Sequence, residues 1–143
     1  MKTSELTGHA LDWAVAVALG MSYWTRSSAK WDSYEGYTDW ILERDGLQRY
    51  YFDGSRSRAG HWEVIERFQP STDWSQGGPI IAQERITLRV STMTGTAWVT
   101  FYDVPGQYHA HVREKGPTAL IAAMRCFVAS KLGDEVDVPK ELL

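Results

Sequence analysis

Cysteine is nearly absent from this sequence of 143 residues, which contains a single one, Cys126. One cysteine excludes an internal disulfide and favours a reducing compartment. The start of the chain has no basic segment followed by an apolar one, and no apolar run approaches the length of a membrane span. We therefore expect a cytoplasmic protein that has neither a signal peptide nor a membrane segment.

Positive charge is also scarce, because 15 lysines and arginines stand against 18 aspartates and glutamates, a net charge of −3. Proteins that bind duplex DNA regardless of sequence need a basic surface, so we expect no such activity. The glycine signatures of phosphate-binding loops are missing, and so is the G-x-S-x-G context of a nucleophilic serine. No pair of acids has the spacing of general acid–base catalysis. We therefore expect no enzyme and no cofactor.

The composition is typical of a globular protein, with 43% hydrophobic and 23% charged residues. The number of aromatic residues is unusual. The aromatics are seven Trp, seven Tyr and four Phe. A chain of this length can bury enough surface to fold without disulfides or metal. The length of the chain therefore predicts a single domain, 1–143.

Two segments predict helices that are apolar nearly all round, 8–19 and 117–132. Each is followed by a glycine, and Pro117 suits the first turn of the second helix. Such helices must be buried against a sheet or a second subunit. Because two of them exceed what one small sheet can cover, we expect a symmetric dimer or a higher homo-oligomer.

The remaining elements are strands and loops. Between 21 and 60, aromatics are interleaved with polar and basic residues without a helical period, and this stretch is treated as an aromatic-rich insertion. The stretch 71–79, rich in glycine and polar residues, predicts a structured loop. The fold class is α+β, a mainly antiparallel sheet packed with the two apolar helices. Strands are predicted over 61–68, 86–90, 97–103 and 108–113, with a hairpin whose arms are 40–43 and 47–52.

Three stretches of the chain resemble the phage NinX-like family of small proteins. They are the start, Met1–Ala16, the central Ser71–Ile81 and the end, Gly116–Pro139. The resemblance implies a bacteriophage or prophage origin and expression inside a bacterial host cell during infection. It brings no activity with it, and the insertion at 21–60 does not match what the family leads us to expect.

The first candidate ligand site is formed by Asp73, Trp74, Gly77 and Gly78. Consecutive glycines permit positive φ and expose backbone amides to an anion. Trp74 offers a stacking face, and Asp73 can accept hydrogen bonds from a base edge or a ribose. The alternative is a tight turn whose Trp74 fills the core, and the residues alone favour that alternative.

Arg125 is the second candidate, because it is the only charged residue between Pro117 and Ser130. An arginine there must reach solvent, pair with a buried carboxylate, or face an anionic ligand. Its planar fork suits phosphate. Asp12, the equally isolated charge of the first helix, is the alternative partner. Both interpretations stay open.

A third candidate is the predicted strand 108–113, where His109, His111 and Arg113 share one face. Two histidines at this spacing can share a metal ion, but no third ligand is evident in the sequence. A polar face, or a cationic lining for phosphate, is therefore favoured over a metal site. Trp98 is a further candidate ligand contact, whereas Cys126 is expected to be a buried, unreactive thiol.

Aromatic and arginine residues could together form a binding surface. Stacking of a base on an aromatic ring contributes about 1–3 kcal/mol, and arginine binds phosphate, so the composition suits a nucleotide-like ligand. The residues concerned are Tyr23, Trp24, Arg26, Trp31, Tyr34, Tyr37, Trp40, Arg49, Tyr50, Arg56 and Arg58.

We therefore expect a non-enzymatic phage protein that binds and sequesters a small nucleotide-type molecule. A host anti-phage immune signal, such as a cyclic nucleotide or an ADP-ribose derivative, is the kind of ligand that fits. Because protein interfaces are enriched in the same residue types, the alternative is a module that docks on a host or phage protein through the insertion. An accessory nucleic-acid-binding protein is a third hypothesis, disfavoured by the acidic charge balance.

Overall fold

The computed structural model describes residues 1–27, 38–44, 48–51, 64–91, 98–103 and 111–143. The chain divides into two compact units, and each is described by itself. The central unit covers 19–68, and the terminal unit combines 1–18 with 69–143. The central unit thus contains the predicted insertion, 21–60. The assignment of the whole chain to one domain stays a prediction.

The central unit contains a four-stranded sheet of β1 (Ser22–Ser27), β2 (Thr38–Arg44), β3 (Gln48–Tyr51) and β4 (Val64–Arg67), in that spatial order. The β1–β2 and β2–β3 pairs are antiparallel, and β3–β4 is parallel. The β2–β3 pair confirms the predicted hairpin, and β4 lies within the predicted strand 61–68. Strand β1 was not predicted, because its mixture of polar and aromatic residues was assigned to the insertion.

The described part of the terminal unit contains three α-helices and a three-stranded sheet. The helices are α1 (Gly8–Ala18), α2 (Trp74–Glu84) and α3 (Ala119–Leu132). The strands are β5 (Thr87–Val90), β6 (Trp98–Asp103) and β7 (His111–Gly116). Both strand pairs are antiparallel and the order is β5-β6-β7, so β7 lies at an edge of this sheet. Helix α3 packs against β6 and β7, and also against α1 and α2.

The two predicted apolar helices are confirmed as α1 and α3. Helix α3 begins two residues later than predicted because Thr118 is its N-cap, and the Thr118 hydroxyl accepts a hydrogen bond from the Ile121 amide at 3.1 Å. Gly133 follows the last turn with φ of 92°, a backbone conformation that favours glycine. Ten of the fourteen α3 residues are buried, which places this helix at the centre of the core.

The predicted loop at 71–79 is wrong, because α2 begins at Trp74. Asp73 caps this helix, and its carboxylate accepts hydrogen bonds from the Ser75 amide at 2.8 Å and the Ser75 hydroxyl at 2.7 Å. Gly77 and Gly78 lie inside the helix, and neither has a positive φ. The cap offsets the low helix propensity of the glycine pair, and Pro79 lies within the same helix.

A short 3-10 turn at Thr3–Glu5, here called the N-terminal turn, joins the two ends of the chain. The Thr3 amide donates to the Asp134 carbonyl at 2.8 Å, and the Thr3 hydroxyl donates to the Gly133 carbonyl at 2.7 Å. The turn also packs against α3 and β7. It is therefore held in place beside the sheet edge by the residues that follow α3.

The α+β class is confirmed, with mainly antiparallel strand pairing. Helix α2 and the division of the strands between two sheets were not predicted. The expectation of a homo-oligomer relied on apolar helix surface left without cover, yet most residues of α1 and α3 are buried within one chain. The homo-oligomer stays a prediction, and uncovered helix surface no longer supports it.

Candidate functional site

An open cavity of about 590 Å³ lies beside β7, and we call it the β7 cavity. It draws residues from three elements: the N-terminal turn, the edge strand β7 and helix α3. Three of the lining residues are cationic and one is acidic, an excess of two positive charges. The lining residues are Ser4, Arg113, Glu114, Lys115, Gly116 and Arg125.

The β7 cavity follows the backbone edge of the strand. Four consecutive residues, 113 to 116, contribute to the lining. Because successive side chains of a strand point to opposite faces, a cavity that contacts all four must lie along the strand itself. Among the described strands, β7 pairs with β6 alone and is therefore an edge strand.

Arg125 holds two walls of the cavity together. Its Nε donates to the Leu6 carbonyl at 2.9 Å, just after the N-terminal turn, and its Nη1 donates to the Lys115 carbonyl at 2.8 Å, on the edge of β7. The residue is only 9% exposed. Within the described residues, Nη2 makes no hydrogen bond, although Arg125 lines the cavity. One guanidinium nitrogen therefore has no hydrogen-bond partner among the described residues.

Burial lowers the pKa of Arg125 from its ordinary value, and attraction to Glu114 opposes that change. Asp12, the alternative partner, shares no described hydrogen bond or ion pair with Arg125, and the Asp12 carboxylate accepts a hydrogen bond from the Ser71 amide at 2.9 Å. The guanidinium group instead donates hydrogen bonds to the Leu6 and Lys115 carbonyl oxygens, which the fold brings close together. Carbonyls of an edge strand and of a turn need donors, and the long arginine side chain supplies them.

Glu114 is the acidic member of the lining. Burial raises the pKa of its carboxyl group above the ordinary value, and Asp134 raises it further. Attraction to Arg125 and a hydrogen bond from the Lys115 backbone both lower the pKa, but burial is the largest influence. An acidic residue thus belongs to the same lining as the three cations, and the sequence alone did not single it out.

Arg113 and Lys115 are exposed cations two residues apart on β7. Their backbone positions put Lys115 opposite Val99 and Arg113 opposite Phe101 on β6. Arg113, a member of the predicted cationic lining for phosphate, lines the cavity together with Arg125, and its role in ligand binding stays a prediction. His111 lies in β7 but its side chain is outside the described part, and His109 lies outside the described residues.

Trp98 is placed near the cavity by strand register, because it is the partner of Gly116 across β6 and β7. It is partly exposed, and it does not belong to the lining. Gly116 itself has a packing role. A Cβ atom there would lie 2.6 Å from the Ala122 amide nitrogen, so glycine allows α3 to approach the sheet closely.

The four candidates around α2 do not lie in the β7 cavity. Asp73 is occupied as the helix cap, and Trp74 is 54% exposed, so it neither fills the core nor stacks on a partner within the described chain. Gly77 is buried, and a Cβ atom there would overlap the Pro70 carbonyl oxygen and lie 2.6 Å from Leu120 Cδ2. Gly77 is therefore a packing residue, and its amide donates within the helix to the Asp73 carbonyl.

The remaining candidates are the cysteine, a metal site and the surface of aromatic and arginine residues. Cys126 is fully buried, its Sγ lies 3.6 Å from the Val112 carbonyl, and burial raises the pKa of the thiol to about 11, as expected for an unreactive cysteine. Among the described residues no group of three or more His, Cys, Asp or Glu could hold a metal ion. The aromatic and arginine side chains from Tyr23 to Arg58 lie outside the part whose side chains are described.

The lining residues that sequence reasoning missed are Ser4, Glu114, Lys115 and Gly116. Lys115 follows Arg113 by two positions, so strand alternation could have added it to the cationic face. The other three depend on the packing of the chain start against β7 and α3. That packing leaves no local signal in the sequence.

No helix in the described part of the chain has the length and apolarity needed to cross a membrane. Among curated proteins, none matches the sequence. A family model described as Bacteriophage P22, NinX matches residues 2–131, nearly the whole chain. The match confirms the resemblance at the chain start, at the central segment and at the chain end as far as residue 131. The expectation that 21–60 does not fit the family is wrong, because the matched range spans that stretch. The chain therefore belongs to the bacteriophage P22 NinX family.

Proposed function

We propose that this phage protein binds and sequesters a small nucleotide-type molecule in the β7 cavity, without converting it chemically. The ligand class is a host anti-phage signal, a cyclic nucleotide or an ADP-ribose derivative. The observation that carries the proposal is the guanidinium group of Arg125. It is nine-tenths buried and fixed by two carbonyls, and its Nη2 remains available in a cavity that Arg125 lines.

A fixed guanidinium is well suited to hold a phosphate group. Its orientation is already set by Leu6 and Lys115, so little side-chain entropy is lost when an anion arrives. Hydrogen bonds between an arginine and a phosphate are charge-assisted, and partial burial strengthens them because less water competes.

Arg113 and Lys115 supply the charge that attracts an anion to the cavity. Both are exposed, and together with Arg125 and Glu114 they leave two net positive charges at the lining, three cations less one carboxylate. The whole chain has a net charge of −3, so this positive charge is a local feature. Such a local field favours a compact anion over a long nucleic acid.

The size of the cavity also fits the proposed class. A volume of about 590 Å³ lies within the range of roughly 300–1,000 Å³ that is usual for small-molecule sites. Binding without reaction agrees with the thiol chemistry, because the pKa of Cys126, raised to about 11, keeps that group protonated at neutral pH. In this proposal the lining residues bind and retain the ligand, and none of them acts as a nucleophile.

The experiment is a thermal-shift screen followed by calorimetric titration, with a panel of cyclic dinucleotides and ADP-ribose isomers. A ligand at 100 times its Kd stabilises the folded protein by about 2.7 kcal/mol, which is readily measured. The test variant is Lys115→Gln, which removes a cavity cation on an exposed strand position. The matched control is Arg89→Gln on β5, which removes an exposed cation that does not line the cavity.

We expect wild type and Arg89→Gln to bind one member of the panel equally well, and Lys115→Gln to bind it about tenfold more weakly. No shift with any member at high micromolar concentration contradicts the proposal. A stoichiometric protein partner, recovered from infected cells by wild type and Lys115→Gln alike, would instead favour the alternative docking module.

A further inference from the structure

The start of the chain is tied by hydrogen bonds to the segment that follows α3. Thr3 is fully buried, its amide donates to the Asp134 carbonyl at 2.8 Å, and its hydroxyl donates to the Gly133 carbonyl at 2.7 Å. The Val136 amide donates to the Met1 carbonyl at 2.9 Å. None of these five residues belongs to the lining of the β7 cavity. Any effect that they have on a ligand there must therefore be indirect.

The N-terminal turn carries this attachment to Arg125. The Leu6 amide donates to the Thr3 carbonyl at 3.2 Å, and Leu6 is also fully buried, so the two residues are held together. The Leu6 carbonyl in turn accepts the hydrogen bond from Arg125 Nε at 2.9 Å. Ser4, the lining residue that the turn contributes, lies between them in the sequence. If the turn moves, the acceptor of Nε and one wall of the cavity move with it.

The direction of Arg125 Nη2 depends on both acceptors of the guanidinium group. Because the group is planar, hydrogen bonds from Nε to Leu6 and from Nη1 to Lys115 fix its plane and with it the position of Nη2. When the Leu6 acceptor is displaced, the group can turn about its remaining hydrogen bond to Lys115. Ordering it again on ligand binding then costs side-chain entropy, so the site binds an anion more weakly.

We infer that Thr3 is a positioning residue of the β7 cavity, which holds the N-terminal turn in place and thereby fixes the guanidinium group of Arg125. The inference rests on the proposed function, because it concerns the same ligand site, and it adds regulation to that site. A nucleotide binds the conformation in which the turn is docked on the segment after α3, and bound nucleotide stabilises that docking in return. The apparent Kd rises as the docked fraction falls.

The test variant is Thr3→Val, which keeps the shape of the side chain and removes the hydroxyl that donates to Gly133. Thr3→Ser restores that donor and is the conservative variant. Asp73→Ala is the control for stability, because it also removes side-chain hydrogen bonds within the terminal unit but lies outside the cavity lining. Thermal unfolding of each variant checks that the fold is retained.

The first measurement needs no ligand. Exchange of the Arg125 Nε proton with solvent is followed by NMR, and the signal is assigned by its loss in Arg125→Lys. Wild type, Thr3→Ser and Asp73→Ala should exchange this proton slowly, because it is hydrogen bonded to the carbonyl of buried Leu6. In Thr3→Val we expect exchange about tenfold faster, since opening of the turn exposes the proton.

The second measurement is the affinity for the panel of cyclic dinucleotides and ADP-ribose isomers, by calorimetric titration. We expect wild type, Thr3→Ser and Asp73→Ala to agree within about twofold, and Thr3→Val to bind about fivefold more weakly. Saturating nucleotide should also slow hydrogen exchange at the Thr3 and Val136 amides of wild type, although neither residue lines the cavity.

Three results overturn the inference. The first is equal exchange of the Arg125 Nε proton in Thr3→Val and wild type, and the second is equal affinity of these two proteins for a nucleotide that wild type binds. The third is an Asp73→Ala variant that loses as much affinity as Thr3→Val, because Thr3 would then act through overall stability.

The proposed function survives each of these results if a member of the panel binds and Lys115→Gln weakens that binding. If no member of the panel binds, the proposed function fails, and the coupling of the N-terminal turn to a ligand fails with it.

Discussion

Two regions of the terminal unit attracted attention as ligand sites, and they differ in what their unusual residues do. The start of α2 carries a glycine pair beside an aspartate and a tryptophan, which is the composition of a binding loop. The β7 cavity combines an edge strand with one arginine from an apolar helix. At α2, Gly77 packs against Pro70 and Leu120, and Asp73 caps the helix. At β7, a buried guanidinium lines an open cavity.

A residue points to a ligand site when the packing and hydrogen bonds around it do not explain its presence. Glycines and an aspartate are accounted for by a tight helix contact and an N-cap, which need no ligand. Arg125 is accounted for only in part, because two of its nitrogens serve backbone carbonyls and the third faces no partner among the described residues.

The largest effect is expected for Arg125→Met, which keeps the bulk of the side chain and removes its charge. The variant loses two charge-assisted hydrogen bonds, and we expect the free energy of unfolding to fall by about 3 kcal/mol in urea denaturation. Ligand binding should be abolished. Equal stability of variant and wild type would show that Arg125 does not hold the N-terminal turn to β7.

The next effect concerns the glycine pair, which offers a matched comparison. In Gly77→Ala the new Cβ overlaps backbone and Leu120, so we expect a loss of about 1–3 kcal/mol in unfolding free energy. In Gly78→Ala nothing lies within 4 Å of the new atom, and alanine should stabilise the helix by about 0.5–1 kcal/mol. If Gly78→Ala weakened nucleotide binding, that result would support a ligand site at the start of α2.

A smaller effect is expected for Asp73→Ala, which removes the N-cap of α2. Loss of a cap costs about 1 kcal/mol, and thermal denaturation should detect it. Because Asp73 does not line the β7 cavity, the Kd for a nucleotide should stay within about twofold of the wild-type value. A large loss of affinity with little loss of stability would reverse the assignment of the two regions.

The smallest effect is a pH dependence at Glu114. Burial raises the pKa of this group, so its contribution to stability is present below pH 4.5 and is lost as pH rises through the raised value. Glu114→Gln should therefore be slightly more stable than wild type at neutral pH, by less than about 1 kcal/mol because the group is partly exposed.

The difference should disappear below pH 4.5, and chemical denaturation across this pH range measures it. A variant that is less stable than wild type at neutral pH would show that attraction to Arg125 outweighs the effect of burial.

The parts of the fold that follow from a short stretch of sequence could be predicted. The apolar runs of α1 and α3 identified both helices, and the hairpin β2–β3 followed from its turn residues. Arg125 was found because it is the lone charge of its helix. Helix α2 was missed because a glycine pair and Pro79 argue locally against a helix, whereas the Asp73 cap and the packing of Gly77 support it.

The site was predictable only in part, for a related reason. Ser4, Glu114 and Arg125 lie far apart in the sequence, and they share a cavity because β7 is an edge strand and the chain start packs beside it. The order of strands in a sheet is a long-range property. Glu114 also carries a charge opposite to that of the other charged lining residues, so a search for clustered cations passes over it.

The decisive measurement is a structure of the protein with a bound nucleotide. We expect a phosphate oxygen within hydrogen-bond distance of Arg125 Nη2, about 2.7–3.0 Å, with Arg113 and Lys115 beside it. A nucleotide bound at Trp74 and Gly78, or bound with Nη2 turned away from it, would show that the β7 cavity is not the binding site.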